Sequence, residues 1–191
     1  MAHKFSPANL AKLENPERGR LFSPPDILRR CGDLSGRTIL DIGVGSGFFL
    51  PSLVEAAGPQ GKVYGLDISA EMLDHVRFEK LSKLKYPIVE LLPAEESRIP
   101  LSDRAADLAW LCFLYHELEH PVKYLRELKR VVAAGGHICI IDWNDRERPM
   151  GPPPTEVVPR SGIERHARQA GLKVTVSESL GDSCELVILS V

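Results

Sequence analysis

Short, almost wholly apolar runs alternate along this chain with longer segments in which apolar residues recur every three or four positions. The short runs have the character of buried strands and cover residues 38–42, 62–67, 88–92, 106–113 and 137–143. The longer segments have helical spacing and cover residues 48–57, 69–85 and 122–132. Gly135-Gly136 is predicted to end the last of these helices. Strands that alternate with helices predict a parallel, doubly wound sheet.

The C-terminal part of the chain has a different pattern. A helix is predicted near residues 161–170, and two β-like runs follow at 172–179 and 184–191. A short turn containing Gly181-Asp182 joins these runs, so we expect an antiparallel hairpin. The predicted fold is therefore α/β, with a doubly wound, mostly parallel seven-stranded sheet in three α/β/α layers and a C-terminal antiparallel hairpin.

Residues 1–37 precede the first strand and contain several prolines among polar positions. Residues 8–13 and 25–31 are each long enough for a short helix. Two interpretations stay open for this segment, an extension packed on the domain or a lid over a binding site. With 191 residues in all, we expect a single domain, with 38–191 as its core.

Composition excludes several classes of function. Lys and Arg number 24 against 26 Asp and Glu, which gives no indication of a nucleic-acid surface. The sequence contains no run of about 18 apolar residues, so no membrane span is predicted. The first residues lack the apolar stretch of a signal peptide. The four cysteines are widely spaced, and Cys112 and Cys139 lie in apolar runs, so we expect reduced core thiols and a cytoplasmic protein. Oligomeric state is not readable from the sequence.

The segment that organises the chain is residues 39–49, I-L-D-I-G-V-G-S-G-F-F. It predicts a buried strand, a tight glycine loop and the start of a helix, an arrangement that brings backbone N–H groups close to a bound small molecule. The glycine spacing differs from that of a dinucleotide-binding loop, because Phe48 stands where that loop needs a small residue. A dinucleotide-dependent oxidoreductase is therefore disfavoured.

Further motifs give this loop a context. D-I-G-V-G-S-G is followed by V-Y-G-L-D-I-S, by A-D-L-A-W-L and by L-R-E-L-K-R-V-V-A-A-G-G-H. Together they resemble the S-adenosylmethionine-dependent methyltransferases with a Rossmann-like fold, and most closely the small-molecule enzymes of the ubiquinone/menaquinone-biosynthesis type. The resemblance implies S-adenosyl-L-methionine as cofactor. It also implies cofactor contacts at Asp41, Gly43, Gly45, Gly47, Asp67, Ile68 and around Ala94-Glu95. One departure is Pro93, where many relatives carry an Asp for the adenine amino group.

Each of these cofactor contacts has a purely structural alternative. Asp67 ends the second strand and is suited to a ribose diol, or it complements the helix that follows. Ile68 and Met72 sandwich an adenine or belong to the core. Asp41 faces the ammonium group of the methionine moiety, directly or through water, or it braces the loop. Leu111 is either a contact on the methionine side or a core residue.

Candidate acceptor-side residues follow the fourth and fifth strands. We expect Tyr115 and His116 to be the catalytic candidates, with His116 as the natural base if the nucleophile must lose a proton. A histidine bonded to its neighbours is the structural alternative. Trp143 is a candidate wall of the substrate pocket, close to Asp142, or a packed aromatic residue. A sulfonium methyl group is strongly electrophilic, so the protein mainly has to align the acceptor and exclude water.

His116-Glu117-Leu118-Glu119-His120 also matches H-E-x-x-H, the signature of zinc proteases. That motif needs a helix, but here it follows a predicted strand directly, and Pro121 disfavours helical geometry at His120. We therefore expect no metal site. The sequence predicts a methyltransferase with a small-molecule acceptor and no nucleic-acid or membrane partner. A non-catalytic cofactor-binding or scaffold protein is the alternative, and zinc hydrolysis is less favoured.

Overall fold

The computed structural model describes residues 10–95 and 97–191. Its strands are β1 (Thr38–Ile42), β2 (Lys62–Asp67), β3 (Val89–Pro93), β4 (Ala106–Cys112), β5 (Val132–Trp143), β6 (Lys173–Leu180) and β7 (Cys184–Ser190). Its α-helices are α1 (Leu10–Leu13), α2 (Pro24–Arg30), α3 (Leu50–Ala57), α4 (Ala70–Glu79), α5 (Pro121–Val131) and α6 (Arg160–Gln169). Short 3-10 helices lie at Pro16–Arg20, Leu81–Lys83, Tyr115–Glu117 and Pro154–Glu156.

The strands form one seven-stranded sheet in the order β3-β2-β1-β4-β5-β7-β6. Strands β1 to β5 pair with one another in parallel, whereas β7 runs antiparallel to both β5 and β6. This confirms the predicted fold class and its terminal hairpin. The carboxyl ends of β1, β2, β4 and β5 and the start of β7 therefore lie along one edge of the sheet, which we call the carboxyl edge. Open α/β sheets bind their ligands at this edge.

Alternate side chains of the strands enter two separate cores. Ile39, Trp110 and Cys139 pack on the face covered by α2, α3 and α4, which we call the first face. The residues next to them in sequence, Leu40 and Leu111 among others, pack on the second face under α5 and α6. With both faces covered, the central strands are largely apolar, and among the exceptions Asp41 and Asp142 lie near their carboxyl ends.

Helix boundaries depart from the prediction in three places. Helix α5 ends at Val131, and Gly135-Gly136 lies within β5 instead of ending the helix. The predicted end of α4 near residue 85 is wrong because the helix stops at Glu79, after which Leu81 and Leu84 turn back onto the first core. Helix α3 begins at Leu50 and not at residue 48, since the turn after the glycine loop extends through Phe49.

All four cysteines are buried and free, which agrees with the prediction of reduced core thiols at Cys112 and Cys139 and extends it to Cys31 and Cys184. They lie in the core of the first face. Of the predicted helix at 8–13, residues 10–13 are helical and the rest lies outside the described residues. No helix in the described part of the chain has the length and apolar character needed to cross a membrane.

Candidate active site

The glycine loop between β1 and α3 has the backbone geometry that its sequence predicts. Gly43, Gly45 and Gly47 all have positive φ, at 72°, 50° and 75°, a conformation that costs other residues about 1–2 kcal/mol. The N–H groups of Gly43 and Val44 both donate to the Leu66 carbonyl at 2.8 Å, which fixes the loop against the end of β2. A rigid loop of this kind leaves little side-chain bulk between its backbone and a ligand at the carboxyl edge.

Asp67 connects the glycine loop to the start of α4. Its Oδ2 accepts a hydrogen bond from the Gly45 N–H and its Oδ1 accepts one from the Ser69 N–H, both at 2.9 Å. The bond from Ser69, the residue that caps α4, agrees with the structural alternative for Asp67, and the bond from Gly45 additionally fixes the loop. An ionised carboxylate has about four acceptor positions, so these two bonds leave capacity for a ligand. Burial raises the pKa of Asp67, and the backbone hydrogen bonds partly oppose this rise.

Asp41 is a buried carboxyl group whose hydrogen-bonding capacity is unused. Its Oδ2 has no partner among the described residues, and the same is true of Ser46 Oγ in the loop and of Nε1 of Trp110. Asp41 and Trp110 are partners in the β1–β4 register, so these atoms belong to neighbouring positions on the first face. Burial raises the pKa of Asp41 to about 7, and the charge of Asp67 adds to the effect. Unpartnered buried polar groups at a sheet edge are what a polar ligand or a water would complete.

The remaining predicted cofactor residues are only partly brought together. Ile68 is 54% exposed beside the loop, whereas Met72 is buried in α4. The Ala94 N–H donates to the Asp67 carbonyl at 2.9 Å, so the ends of β2 and β3 are joined. Glu95 is exposed, and its backbone forms an isolated antiparallel β-bridge with that of Arg98. Leu111 is fully buried on the second face, opposite to the side chain of Asp41.

His116 and Asp142 form a close pair at the ends of β4 and β5. The Nδ1 of His116 lies 2.8 Å from Oδ1 of Asp142, and the His116 backbone N–H donates to Oδ2 at 2.8 Å. The Trp143 N–H also donates to Oδ1, at 2.7 Å, so the carboxylate is held in place. Burial alone would lower the pKa of His116, but the hydrogen bond and charge of Asp142 outweigh it and the pKa is raised.

Tyr115, the other catalytic candidate, points away from the carboxyl edge. Its side chain is fully buried on the second face, and its hydroxyl lies 3.2 Å from Nδ1 of His166 in α6. Burial, reinforced by the charge of Asp142, raises the pKa of Tyr115, which keeps the phenol protonated. The structure thus separates the two neighbours, with Tyr115 in the core and only His116 paired with Asp142.

An aromatic cluster at the ends of β4 and β5 includes Phe113, which was not among the predicted site residues. Phe113 has a φ of 59°, which is strained for a bulky side chain, and its ring stacks on Trp143 with centroids 4.2 Å apart. The ring centroid of Phe49, which directly precedes α3, lies 6.5 Å from that of Phe113. The guanidinium of Arg148 lies 5.3 Å from the Trp143 ring. No local pattern predicts a positive φ at a phenylalanine, so Phe113 could not be singled out from the sequence.

The N-terminal segment, residues 10–23, contacts the loop and this aromatic cluster. A Cβ on Gly45 would lie 3.3 Å from the Leu13 side chain, and Glu14 pairs with Lys80 of the segment after α4. The Arg18 guanidinium lies over three phenylalanine rings, and Phe22 stacks on Phe49 at 5.8 Å. These contacts place the segment at the carboxyl edge.

The H-E-x-x-H segment does not form one helix. Residues Tyr115–Glu117 make a single 3-10 turn, Leu118 is extended, and His120 is exposed immediately before α5. Among the described residues, no cluster of three or more His, Cys, Asp or Glu side chains is arranged to hold a metal ion. The two histidines therefore do not share a helical face, which is what the zinc motif requires.

Residues 40–140, which span the glycine loop, α4 and the His116 turn, match the family described as a methyltransferase domain. The chain belongs to this family. A solved structure of an S-adenosylmethionine-dependent methyltransferase from Aquifex aeolicus is 40% identical, with a TM-score of 0.92, and the match covers 97% of this chain and 98% of that chain. The predicted family, fold and cofactor, S-adenosylmethionine, are confirmed.

Two curated relatives have names that refer to menaquinone and ubiquinone biosynthesis. The demethylmenaquinone methyltransferase of Lactococcus lactis is 30% identical over 64% of this chain and 48% of that protein. The ubiquinone/menaquinone biosynthesis C-methyltransferase of Cupriavidus taiwanensis is 31% identical over 64% of this chain and 50% of that protein. The chain spans about half the length of these curated relatives. Membership of this family replaces the zinc-hydrolase and dinucleotide interpretations.

Proposed function

We propose that this methyltransferase transfers the methyl group of S-adenosylmethionine to a small-molecule acceptor bound beside the ends of β4 and β5. The observation that carries the proposal is the rigid glycine loop with the unpartnered Oδ2 of Asp41 beside it. A buried carboxyl group without a partner is unfavourable in the free protein, and an ammonium group of a bound cofactor would complete it.

The residues around the loop fit this cofactor. The backbone of Gly43, Gly45 and Gly47 would lie against it, and the remaining acceptor capacity of Asp67 suits the two hydroxyls of a ribose. The exposed Ile68 is available to cover the adenine, whereas Met72 is largely buried and would contribute from beneath. When bound, S-adenosylmethionine supplies an electrophilic methyl group on a sulfonium. We give Leu111 and Glu95 no role, because the first lies on the opposite face and the second points into solvent.

His116 is our proposed general base. A carboxylate can only accept a hydrogen bond, so Nδ1 of His116 donates to Asp142, and Nε2, which lies 3.8 Å from Oε1 of Glu117, is the basic atom of the neutral ring. Asp142 would also stabilise the imidazolium formed once His116 has taken a proton from the acceptor. Tyr115 contacts His166 of α6 through its hydroxyl, and we assign it no part in proton transfer.

The acceptor is proposed to be small and at least partly aromatic. Phe113 is half-buried and stacks on Trp143, while Trp143 and Phe49 are themselves buried beneath it, so the acceptor end of the edge has an aromatic wall that suits a planar apolar body. The names of the relatives refer to quinones, which are planar and largely apolar, so planar aromatic compounds are the acceptors to assay first. We also propose that residues 1–191 form one domain and that residues 1–37 include a lid, since the described part of this segment lies over the carboxyl edge.

The decisive experiment is calorimetric binding of S-adenosylhomocysteine to the wild type, Asp67→Ala and Asp107→Ala. Asp107 is a matched control, because its carboxylate also accepts a backbone N–H, that of Thr38 at 2.9 Å, at the opposite end of β1. We expect one-to-one binding that weakens at least about tenfold in Asp67→Ala, roughly 1.4 kcal/mol, and stays within about twofold in Asp107→Ala. A folded wild type that binds no ligand at millimolar concentration would refute the proposal.

A further inference from the structure

Arg18 is a charged side chain that is buried at the acceptor end of the site. The residue is only 8% exposed, although it belongs to the short 3-10 helix Pro16–Arg20 in the N-terminal segment. The other arginine of this helix, Arg20, is 75% exposed and pairs with Glu17. Burial of a guanidinium is unusual without an anionic partner, so the surroundings of Arg18 need an explanation.

No carboxylate of the described residues pairs with Arg18. Its Nη1 donates to the Leu13 carbonyl at 2.8 Å. The other N–H groups of the guanidinium have no acceptor among the described residues. Three aromatic rings surround the guanidinium instead, with centroids at 5.5 Å (Phe48), 5.6 Å (Phe49) and 5.0 Å (Phe113). Cation–π attraction to such rings is individually weak, whereas removing an unpaired charge from water is costly.

The thiols near Arg18 do not supply a negative charge either. Cys112 and Cys184 are the titratable groups whose charge would act on it. Burial raises the pKa of Cys112 well above its usual value and that of Cys184 to about 12, so both thiols stay neutral. Burial also lowers the pKa of Arg18, but a guanidinium remains protonated at any ordinary pH. Arg18 is therefore a positive charge that has no negatively charged partner among the described residues.

The position of this charge matches the place of the acceptor. Phe113 follows β4 and stacks on Trp143 at the end of β5, while Cys184 begins β7 at the same edge. The glycine loop and Asp67, which we assign to the cofactor, lie at the ends of β1 and β2. Arg18 therefore lies between the turn that follows the glycine loop, which provides Phe48 and Phe49, and the acceptor side of the site, where Phe113 lies.

We propose that Arg18 binds a carboxylate group of the methyl acceptor, which makes the substrate class planar, apolar carboxylic acids. The proposal rests on the proposed function, since it concerns the acceptor half of the same site. With Nη1 occupied by Leu13, the Nε and Nη2 edge of the guanidinium remains as a planar fork that matches the two oxygens of a carboxylate.

A structural alternative is that Arg18 only fastens the N-terminal segment to the aromatic cluster. The two roles predict different consequences of Arg18→Met, which keeps an apolar stem and removes the charge. A fastening role predicts a less stable protein and no change in ligand preference. A carboxylate-binding role predicts a ligand-free variant at least as stable as the wild type, because an uncompensated charge has been removed.

The test is calorimetric titration of wild type, Arg18→Met and the control Arg20→Met with 2-naphthoate and with 2-naphthamide, which has the same shape without the charge. Saturating S-adenosylhomocysteine is present in each titration. We expect wild type and Arg20→Met to bind the naphthoate at least tenfold more tightly than the amide. In Arg18→Met this preference should fall to within twofold, with binding of S-adenosylhomocysteine unchanged. Thermal unfolding of the ligand-free variants provides the second readout.

Failure of this proposal can be told apart from failure of the proposed function. If S-adenosylhomocysteine binds but wild type shows no preference for the carboxylate, or retains the preference in Arg18→Met, the role of Arg18 is refuted and the cofactor site stands. Loss of stability in Arg18→Met together with an unchanged preference would establish the fastening role instead. If S-adenosylhomocysteine does not bind wild type, the proposed function itself fails.

Discussion

Asp41 is a carboxyl group in surroundings that favour its neutral form. Burial raises its pKa to about 7, far above the value near 4 expected in the unfolded chain. Between these two values the folded protein binds more protons than the unfolded chain, so this group makes the free protein less stable as pH rises from about 4 to about 7. A cofactor ammonium beside Asp41 would favour the ionised form and reverse that effect.

Proton release on cofactor binding follows from this pKa. At pH 6 Asp41 is mostly protonated in the free protein, so binding of S-adenosylhomocysteine should release up to about one proton from it. Calorimetry in buffers of different ionisation enthalpy measures the number. We expect Asp41→Asn to abolish the release at pH 6, whereas Asp107→Ala should keep it. Equal proton release in wild type and Asp41→Asn would show that Asp41 does not face the ammonium group.

His116 has the opposite electrostatic setting, because Asp142 favours its charged form. The raised pKa means that this pair stabilises the fold below the unfolded histidine pKa, near 6.5, and that the stabilisation is lost as pH rises through the higher folded value. Asp142→Asn should therefore lower the pKa of His116, as measured by NMR titration of its ring. Glu119→Gln, in the exposed part of the same segment, is the control. A His116 pKa unchanged in Asp142→Asn would contradict the pairing.

At the scale of elements, the central strands were predicted almost to the residue because they are buried on both faces. The boundary between α5 and β5 was not, because a double glycine is a general stop signal and only tertiary packing decides where it acts. Gly136 lies against a neighbouring strand, where a Cβ would be 2.6 Å from the Asp107 carbonyl oxygen. The contact between Gly136 and β4, which the local sequence pattern does not contain, is thus what makes the two glycines part of β5.

The two glycines should therefore respond differently to alanine. Gly136→Ala places a Cβ against backbone atoms of Asp107 and Ala133, so the strand must shift, and we expect a loss of more than about 2 kcal/mol in the free energy of unfolding. Gly135→Ala meets nothing within 4 Å and only forces alanine into a φ of 82°, which should cost about 1–2 kcal/mol. Urea denaturation measures both. Equal losses would mean that the contact with Asp107 is not close.

At the scale of the whole molecule, the fold class and the edge of the sheet that carries the site followed from the order of apolar runs. The pairing of His116 with Asp142 needed the positions of two separate strands, and the sequence indicated each residue but not the bond between them. The burial of Arg18 was not predictable at all, because it depends on a polar segment folding over rings that lie far along the chain. Contacts between distant segments of this kind have no local pattern.

The four buried cysteines offer a measure of how the whole molecule responds to its cofactor. All four lie in the core of one face and react only when that core opens, since an alkylating reagent needs an accessible thiolate. If opening is global, a ligand that binds only the folded state slows labelling by the factor 1 + [L]/Kd, about a hundredfold at 100 times the Kd. Mass spectrometry after iodoacetamide treatment should show the four thiols reacting together and protected equally by S-adenosylhomocysteine. Labelling of Cys31 that stays fast with ligand present would instead mean that α2 opens by itself, separately from the sheet.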